Sequence, residues 1–120
     1  MSVVLTCRGN LKVFGVDKEK DLAVVVDFHS FASRNPLQYA VFLKKFSSAV
    51  DIIRNSNCFA INFAYIKGLP EEFDEFEKTE CEKLDCPRLK GSDSWLECEV
   101  KHELDLGDYV LFVGSVLFES

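Results

Sequence analysis

The chain has 120 residues, with 14 basic and 20 acidic side chains and a net charge of -6 at pH 7. That length suits one domain covering residues 1–120, and the acidic balance excludes non-specific nucleic-acid binding, which needs a basic surface. Hydrophobic residues at 48% and charged residues at 28% predict a packed core rather than disorder. No apolar run reaches the ~18 residues of a membrane helix. Met1 to Leu5 lack the basic stretch and long apolar run of a signal peptide. A cytoplasmic location with no membrane partner is expected.

Val3 to Cys7 is a short, β-branched run and predicts a first strand. Arg8-Gly9-Asn10 reads as a turn, and Leu11 to Lys20 as a loop with a brief strand. Asp21 to Phe28, with its block of Leu22 to Val26, predicts a strand buried on both faces. Phe28 to Pro36 carries Ser, Asn and Pro and reads as a loop, after which Gln38 to Leu43 resumes as a strand. Phe46, Ala49, Val50 and Ile53 fall on one helical face, with Ser48 to Asp51 as a loose capping box and Asn55 to Asn57 as the stop. Cys58 to Ile66 is a further strand.

Glu71, Glu72, Asp74, Glu75, Glu77, Glu80, Glu82 and Asp85 crowd the next stretch, which reads as a solvated face. Leu84 to Ser94 is expected to be a loop. Leu96, Cys98, Val100 and His102 then alternate with Glu97, Glu99, Lys101 and Glu103, the cleanest strand pattern in the chain. A turn at Asp105 to Asp108 leads to a last apolar strand from Tyr109 to Phe118, where Gly114 implies a bulge or a close backbone contact. About six strands and one or two helices suit a mainly β fold, a closed or partly closed antiparallel barrel, since closure removes exposed edges.

The five cysteines are odd in number and lack an export signal, so reduced thiols are expected. Cys58 and Cys98 read as small core residues. Cys81 and Cys86 form no zinc motif with either histidine, so no metal is expected. Phosphate loops, Rossmann fingerprints and nucleophile elbows are missing.

Lys44, Lys45, Ser47 and Ser48 stand at the predicted helix start, where free N–H groups favour an anion such as phosphate. Plain capping is the alternative. Ser30 and Ser33 in the Phe28–Pro36 loop are poised for a ligand or for their own turn. His29 is a ligand contact or an ordinary loop histidine. His102 reads as half-buried near a strand end, with a titrating group near a cofactor as the alternative, and Trp95 and Phe31 as core aromatics with a stacking role as the alternative.

Three segments resemble the flavin reductase-like, FMN-binding split-barrel family. Val3 to Gly9 is similar to its opening strand and turn. Asp27 to Pro36, followed by Tyr39 to Leu43, resembles its Ser-x-x-Pro loop between two strands. Ser94 to Val100 together with Leu106 to Val116 is close to its ending. Ile53 to Asn62 resembles the segment between. The resemblance implies a six-stranded Greek-key split barrel and FMN, or FAD, bound near a homodimer interface. It further implies electron transfer through flavin N5, with NAD(P)H as co-substrate in many members.

Carried over by position, Phe28, His29, Ser30 and Phe31 would line the flavin and Ser33 would close their loop. Lys45, Ser47 and Ser48 would reach the phosphate, and Asn62 and Phe63 would sit near the ring. The chain departs from the family at Leu37, Ala49 and Tyr109, and ends soon after its last strand. An alternative reading is therefore a split-barrel dimer that binds flavin weakly or not at all and acts as an interaction module.

Overall fold

A computed structural model describes residues 2–120; Met1, the first residue of the expected domain, lies outside them. Ten strands and one α-helix occur among the described residues. They run β1 (Val3–Val13), β2 (Val16–Val26), β3 (His29–Arg34), β4 (Leu37–Lys44), α1 (Ser48–Ser56), β5 (Cys58–Phe63), β6 (Glu72–Phe73), β7 (Lys78–Glu80), β8 (Pro87–Leu89), β9 (Ser94–Asp105) and β10 (Tyr109–Glu119). Eight form one antiparallel sheet in the order β3-β4-β10-β9-β5-β1-β2-β6, and β7 pairs with β8 apart from it. The mainly β class is as expected. The six-strand count is not: the expected loops supply further strands, and the sheet stays open, with β3 and β6 as its edges. No helix among the described residues is long and apolar enough to cross a membrane.

The core follows a period of two. Val3, Leu5 and Cys7 of β1, Leu22, Val24 and Val26 of β2, Tyr39, Val41 and Leu43 of β4, Phe59 and Ile61, Leu96 and Cys98, and Val110 and Phe112 all belong to one buried cluster. Alternate side chains of a strand share a face, so a curled sheet collects them inside. Helix α1 adds Ala49, Val50, Ile52 and Ile53 to the same cluster.

Several boundaries differ from the sequence expectation for identifiable reasons. The first turn is not at Arg8 to Asn10. β1 runs on to Val13, and the chain reverses at Phe14-Gly15, both with positive φ (51° and 77°), the primed turn that matches strand twist. Gly9 serves a close approach instead. A Cβ there would stand 2.7 Å from the Ile52 carbonyl oxygen of α1, and the neighbouring Asn10 N–H donates to Asn55 Oδ1 at 2.7 Å. Gly9→Ala is expected to destabilise the protein by about 1–3 kcal/mol through this overpacking. Thermal unfolding followed by circular dichroism tests it, and an unchanged midpoint would show that α1 moves away freely.

The Phe28–Pro36 segment is mostly strand β3, held by pairing to β4 with a slip between Phe31 and Ser33. Helix α1 is capped by Ser47, whose Oγ accepts from the Ala49 N–H at 3.2 Å, rather than by Ser48. Phe46 is 95% exposed and takes no part in the buried helix face. Asn57 ends α1 in the left-handed conformation.

The β9 alternation fails at both ends. Glu97 is fully buried because the segment from β6 to β8 covers the outer face of the sheet. At Lys101 the pairing to β10 slips, with Val113 opposite His102 but Gly114 opposite Val100. The extra residue changes the face taken by later side chains, and His102 is exposed rather than half-buried. Gly114 sits at this bulge, where a Cβ would meet Cys98 Cβ at 2.8 Å.

Candidate functional site

Where β2 and β4 end, the open seam leaves a cleft of about 920 Å³, within the ~300–1,000 Å³ of small-molecule sites. One wall is β2 from Val24 to Val26 with Asp27 and Phe28. Phe42 and Leu43 with Tyr109 line the cleft beside Phe28. Lys44, Lys45, Phe46 and Ser47 close one end, and Glu71 and Glu72 of the covering segment face them.

Backbone bonds fix this frame. The Phe42 N–H donates to the Phe28 carbonyl at 3.0 Å, and the Lys45 N–H to that of Asp108 at 2.9 Å. The Phe28 and Tyr109 rings meet edge to face, centroids 5.7 Å apart, an arrangement that aromatic quadrupoles favour.

The helix start carries the electrostatics. Ser47 accepts the Ala49 N–H and also donates to Glu72 Oε1 at 2.7 Å. Lys44 Nζ lies 2.5 Å from Glu71 Oε1, and this carboxylate raises the Lys44 pKa. Lys45 Nζ stands 3.9 Å from Asp105 Oδ2. Two carboxylates thus rest against a hydroxyl, an ammonium and a helix N-terminus, which is the donor set that takes oxyanions. The acidic stretch is more than a solvated face. Glu71 and Glu72 reach the cleft, and Glu80 and Asp85 hold Arg8.

Of the residues singled out from sequence, Phe28, Lys44, Lys45 and Ser47 line this cleft. Ser48 lines a smaller neighbouring depression with Leu22 and Ile52. His29, Ser30, Phe31 and Ser33 lie along edge strand β3. There His29 Nδ1 is 2.6 Å from the Tyr39 hydroxyl, and the Ser30 hydroxyl donates to the Phe31 carbonyl at 3.0 Å. The Phe31 ring packs edge-on to Tyr39 beneath the Arg34 guanidinium.

Asn62 and Phe63 are on β5, away from the cleft lining. The Asn62 amide donates to the Val4 carbonyl and Thr6 Oγ1 at 3.0 and 2.9 Å, and its oxygen accepts the Leu89 N–H at 2.8 Å and the Ser92 hydroxyl at 3.3 Å. Those bonds use the full capacity of the amide. Trp95 stacks on Phe118 under Arg88, so it too is structural. The cleft residues that the sequence did not single out as site residues include Glu71, Glu72 and the β2 wall. Tyr109 stood out there only as a departure from a pattern.

The architecture is that of an open, split β-barrel with a small-molecule-sized cleft in its seam. The chain belongs to the family described as the flavin reductase like domain, whose sequence pattern matches residues 2–117.

Among solved structures, flavoredoxin from Methanosarcina acetivorans is similar at 25% identity and TM-score 0.78, over 100% of this chain and 68% of that one. An FMN-binding protein from Thermus thermophilus with bound 1-cyclohex-2-enone shares the fold at 17% identity and TM-score 0.81, over 99% and 68%. The flavin reductase of the styrene monooxygenase from Pseudomonas putida S12 does so at 17% identity and TM-score 0.71, over 99% and 79%. A comparison with curated proteins found no match.

Proposed function

We propose that the chain binds FMN in the seam cleft and passes electrons through it, as a flavin reductase or as an electron carrier. The observation that carries this reading is the pairing of an aromatic, apolar trough with an oxyanion-type donor set at one end. That arrangement suits a planar ring with a phosphorylated tail. Ser47, Lys44 and Lys45 would hold the phosphate at the start of α1. Phe28 and Tyr109, whose rings already touch, would pack together against one side of the ring.

A bound flavin supplies the hydride chemistry itself. The tasks left to these residues are orientation and exclusion of water, so no acid or base is assigned. His29, Ser30, Phe31 and Ser33 belong to the site in this reading only if a second copy of the chain packs along β3 in a homodimer. NADH or NADPH is the proposed electron source, and FAD is the alternative flavin.

The test is a fluorescence titration with FMN, then NAD(P)H oxidation with FMN present. Saturable quenching near one flavin per chain, with nicotinamide oxidation above the free-flavin background, is expected. Saturable binding with background oxidation only would leave a carrier rather than a reductase. No quenching at all would favour the interaction module, a reading supported by the carboxylates that already meet Lys44 and Ser47.

A further inference from the structure

The covering segment brings together three cysteines that the cleft does not use. Cys58 opens β5, Cys81 follows β7 and Cys86 precedes β8. The Cys81 N–H donates to the Cys86 carbonyl at 3.0 Å, carrying the β7–β8 pairing one step past Glu80 and Pro87. The two cysteines therefore face each other across a hairpin. Facing Cα atoms in such a pair stand about 4.5–5.5 Å apart, inside the ~4.4–6.8 Å span of disulfides.

Their sulfurs are 2.8 Å apart. Two thiolates on one tetrahedral zinc, at Zn–S of about 2.3 Å, would be about 3.7 Å apart. The closer spacing favours a sulfur–sulfur bond over a metal, and no metal-holding group of three His, Cys, Asp or Glu occurs among the described residues. Cys81 is partly exposed and Cys86 buried. The hydrogen bonds that the Cys86 thiol donates to Cys58 and Cys81, then burial, push its pKa up and keep it protonated. Cys7 and Cys98 are buried in the barrel, and burial pushes the Cys98 thiol up to about 12.

We propose that Cys81 and Cys86 form a reversible disulfide that clasps the hairpin holding Glu97. All five cysteines are free thiols here, and hydrogen peroxide is the oxidant. The Cys81 thiolate attacks one peroxide oxygen, the O–O bond breaks, and the hydroxide released takes a proton to become water. Cys86 sulfur then attacks the sulfenic sulfur of Cys81. The S–S bond forms, the S–O bond breaks, and the Cys86 proton leaves with the hydroxide as a second water. Two thiols are oxidised and one peroxide is reduced.

The loop between the cysteines supplies the Glu82, Lys83 and Leu84 N–H groups that bind Glu97, so the clasp fixes that cradle.

The experiment treats the full chain with a few equivalents of peroxide, alkylates the remaining thiols in denaturant and digests with trypsin. Cleavage after Lys83 separates the two cysteines, so the expected product is Thr79–Lys83 joined to Leu84–Arg88. It should be lighter by two hydrogens than the separate peptides and split by dithiothreitol, with Cys7, Cys58 and Cys98 alkylated. The oxidised protein should melt about 5 °C higher, a rise that Cys81→Ser lacks. Leu84–Arg88 joined to Asn55–Lys67, which carries Cys58, would overturn the assignment. So would irreversible oxidation of Cys81 without a link, or zinc retained at one per chain with the thiols protected.

Discussion

Glu97→Ala should lower stability by about 3–5 kcal/mol, the range for stripping a partner from a buried charged network. The carboxylate is fully buried, yet it accepts four N–H bonds. The Glu82 and Lys83 amides donate at 2.6 Å, Leu84 at 3.2 Å and the Trp95 indole Nε1 at 2.9 Å. Alanine leaves all four donors without that acceptor beneath a loop that excludes water. Glu97→Gln keeps the shape but turns an NH₂ towards donors, so an intermediate loss is expected.

Acid sensitivity separates charge from shape. Burial alone would raise the carboxyl pKa, but the indole and the three backbone N–H groups outweigh it and hold it below the usual 4.5. The unfolded chain therefore takes up the proton first as pH falls. The stabilisation is complete above the ordinary Glu range and is lost as pH falls through the folded value. Urea unfolding between pH 3 and pH 7 should show the wild type losing more stability in acid than Glu97→Gln. Parallel curves would mean that the charge contributes nothing.

Glu97 also shows why the sequence was only partly readable. Its position in a clean alternation marks β9 correctly and its own burial wrongly. Periodicity reports two faces of a strand, but not that a distant segment lies over the second one. That cover is built from the acidic stretch, whose composition reads as solvated. Its anchoring is a long-range matter: Arg8 Nε bonds Asp21 Oδ1 at 2.7 Å, while its Nη atoms reach Glu80 and Asp85. Thr6, buried on the same face, donates to the Pro87 carbonyl at 2.6 Å.

Local signals fared better where local physics decides. Ala49, Val50 and Ile53 of the α1 face, though not Phe46, the Asn57 stop and the Gly114 constraint are set by neighbours in sequence or by one packed contact. Gly9 misled because glycine marks both turns and close approaches, and only the Ile52 carbonyl tells which. At the cleft, Phe28, Lys45 and Ser47 follow from chain order in the family likeness. Glu71 and Glu72 arrive from a segment with no counterpart in the quoted motifs.

Those two carboxylates lead to the largest expected effect on binding. Glu72 takes the Ser47 hydroxyl and Glu71 takes the Lys44 ammonium, so an incoming phosphate has to displace both and meets like charge while doing so. Glu71→Gln with Glu72→Gln should therefore tighten FMN binding by about 10-fold or more, each removed charge weakening a close repulsion. Lys45→Ala with Ser47→Ala should weaken it by about 100-fold, through loss of a cation and of a charge-assisted hydrogen bond. Losing the cap also costs about 1 kcal/mol of helix stability. Ser47→Thr, which keeps a hydroxyl, is the control and should bind as the parent does. Riboflavin has the ring without the phosphate, so its affinity should move less than about 2-fold in every variant, and added salt should weaken FMN but not riboflavin. If riboflavin and FMN shift together, the helix start is not where the phosphate sits, and the ring must be held from another part of the seam.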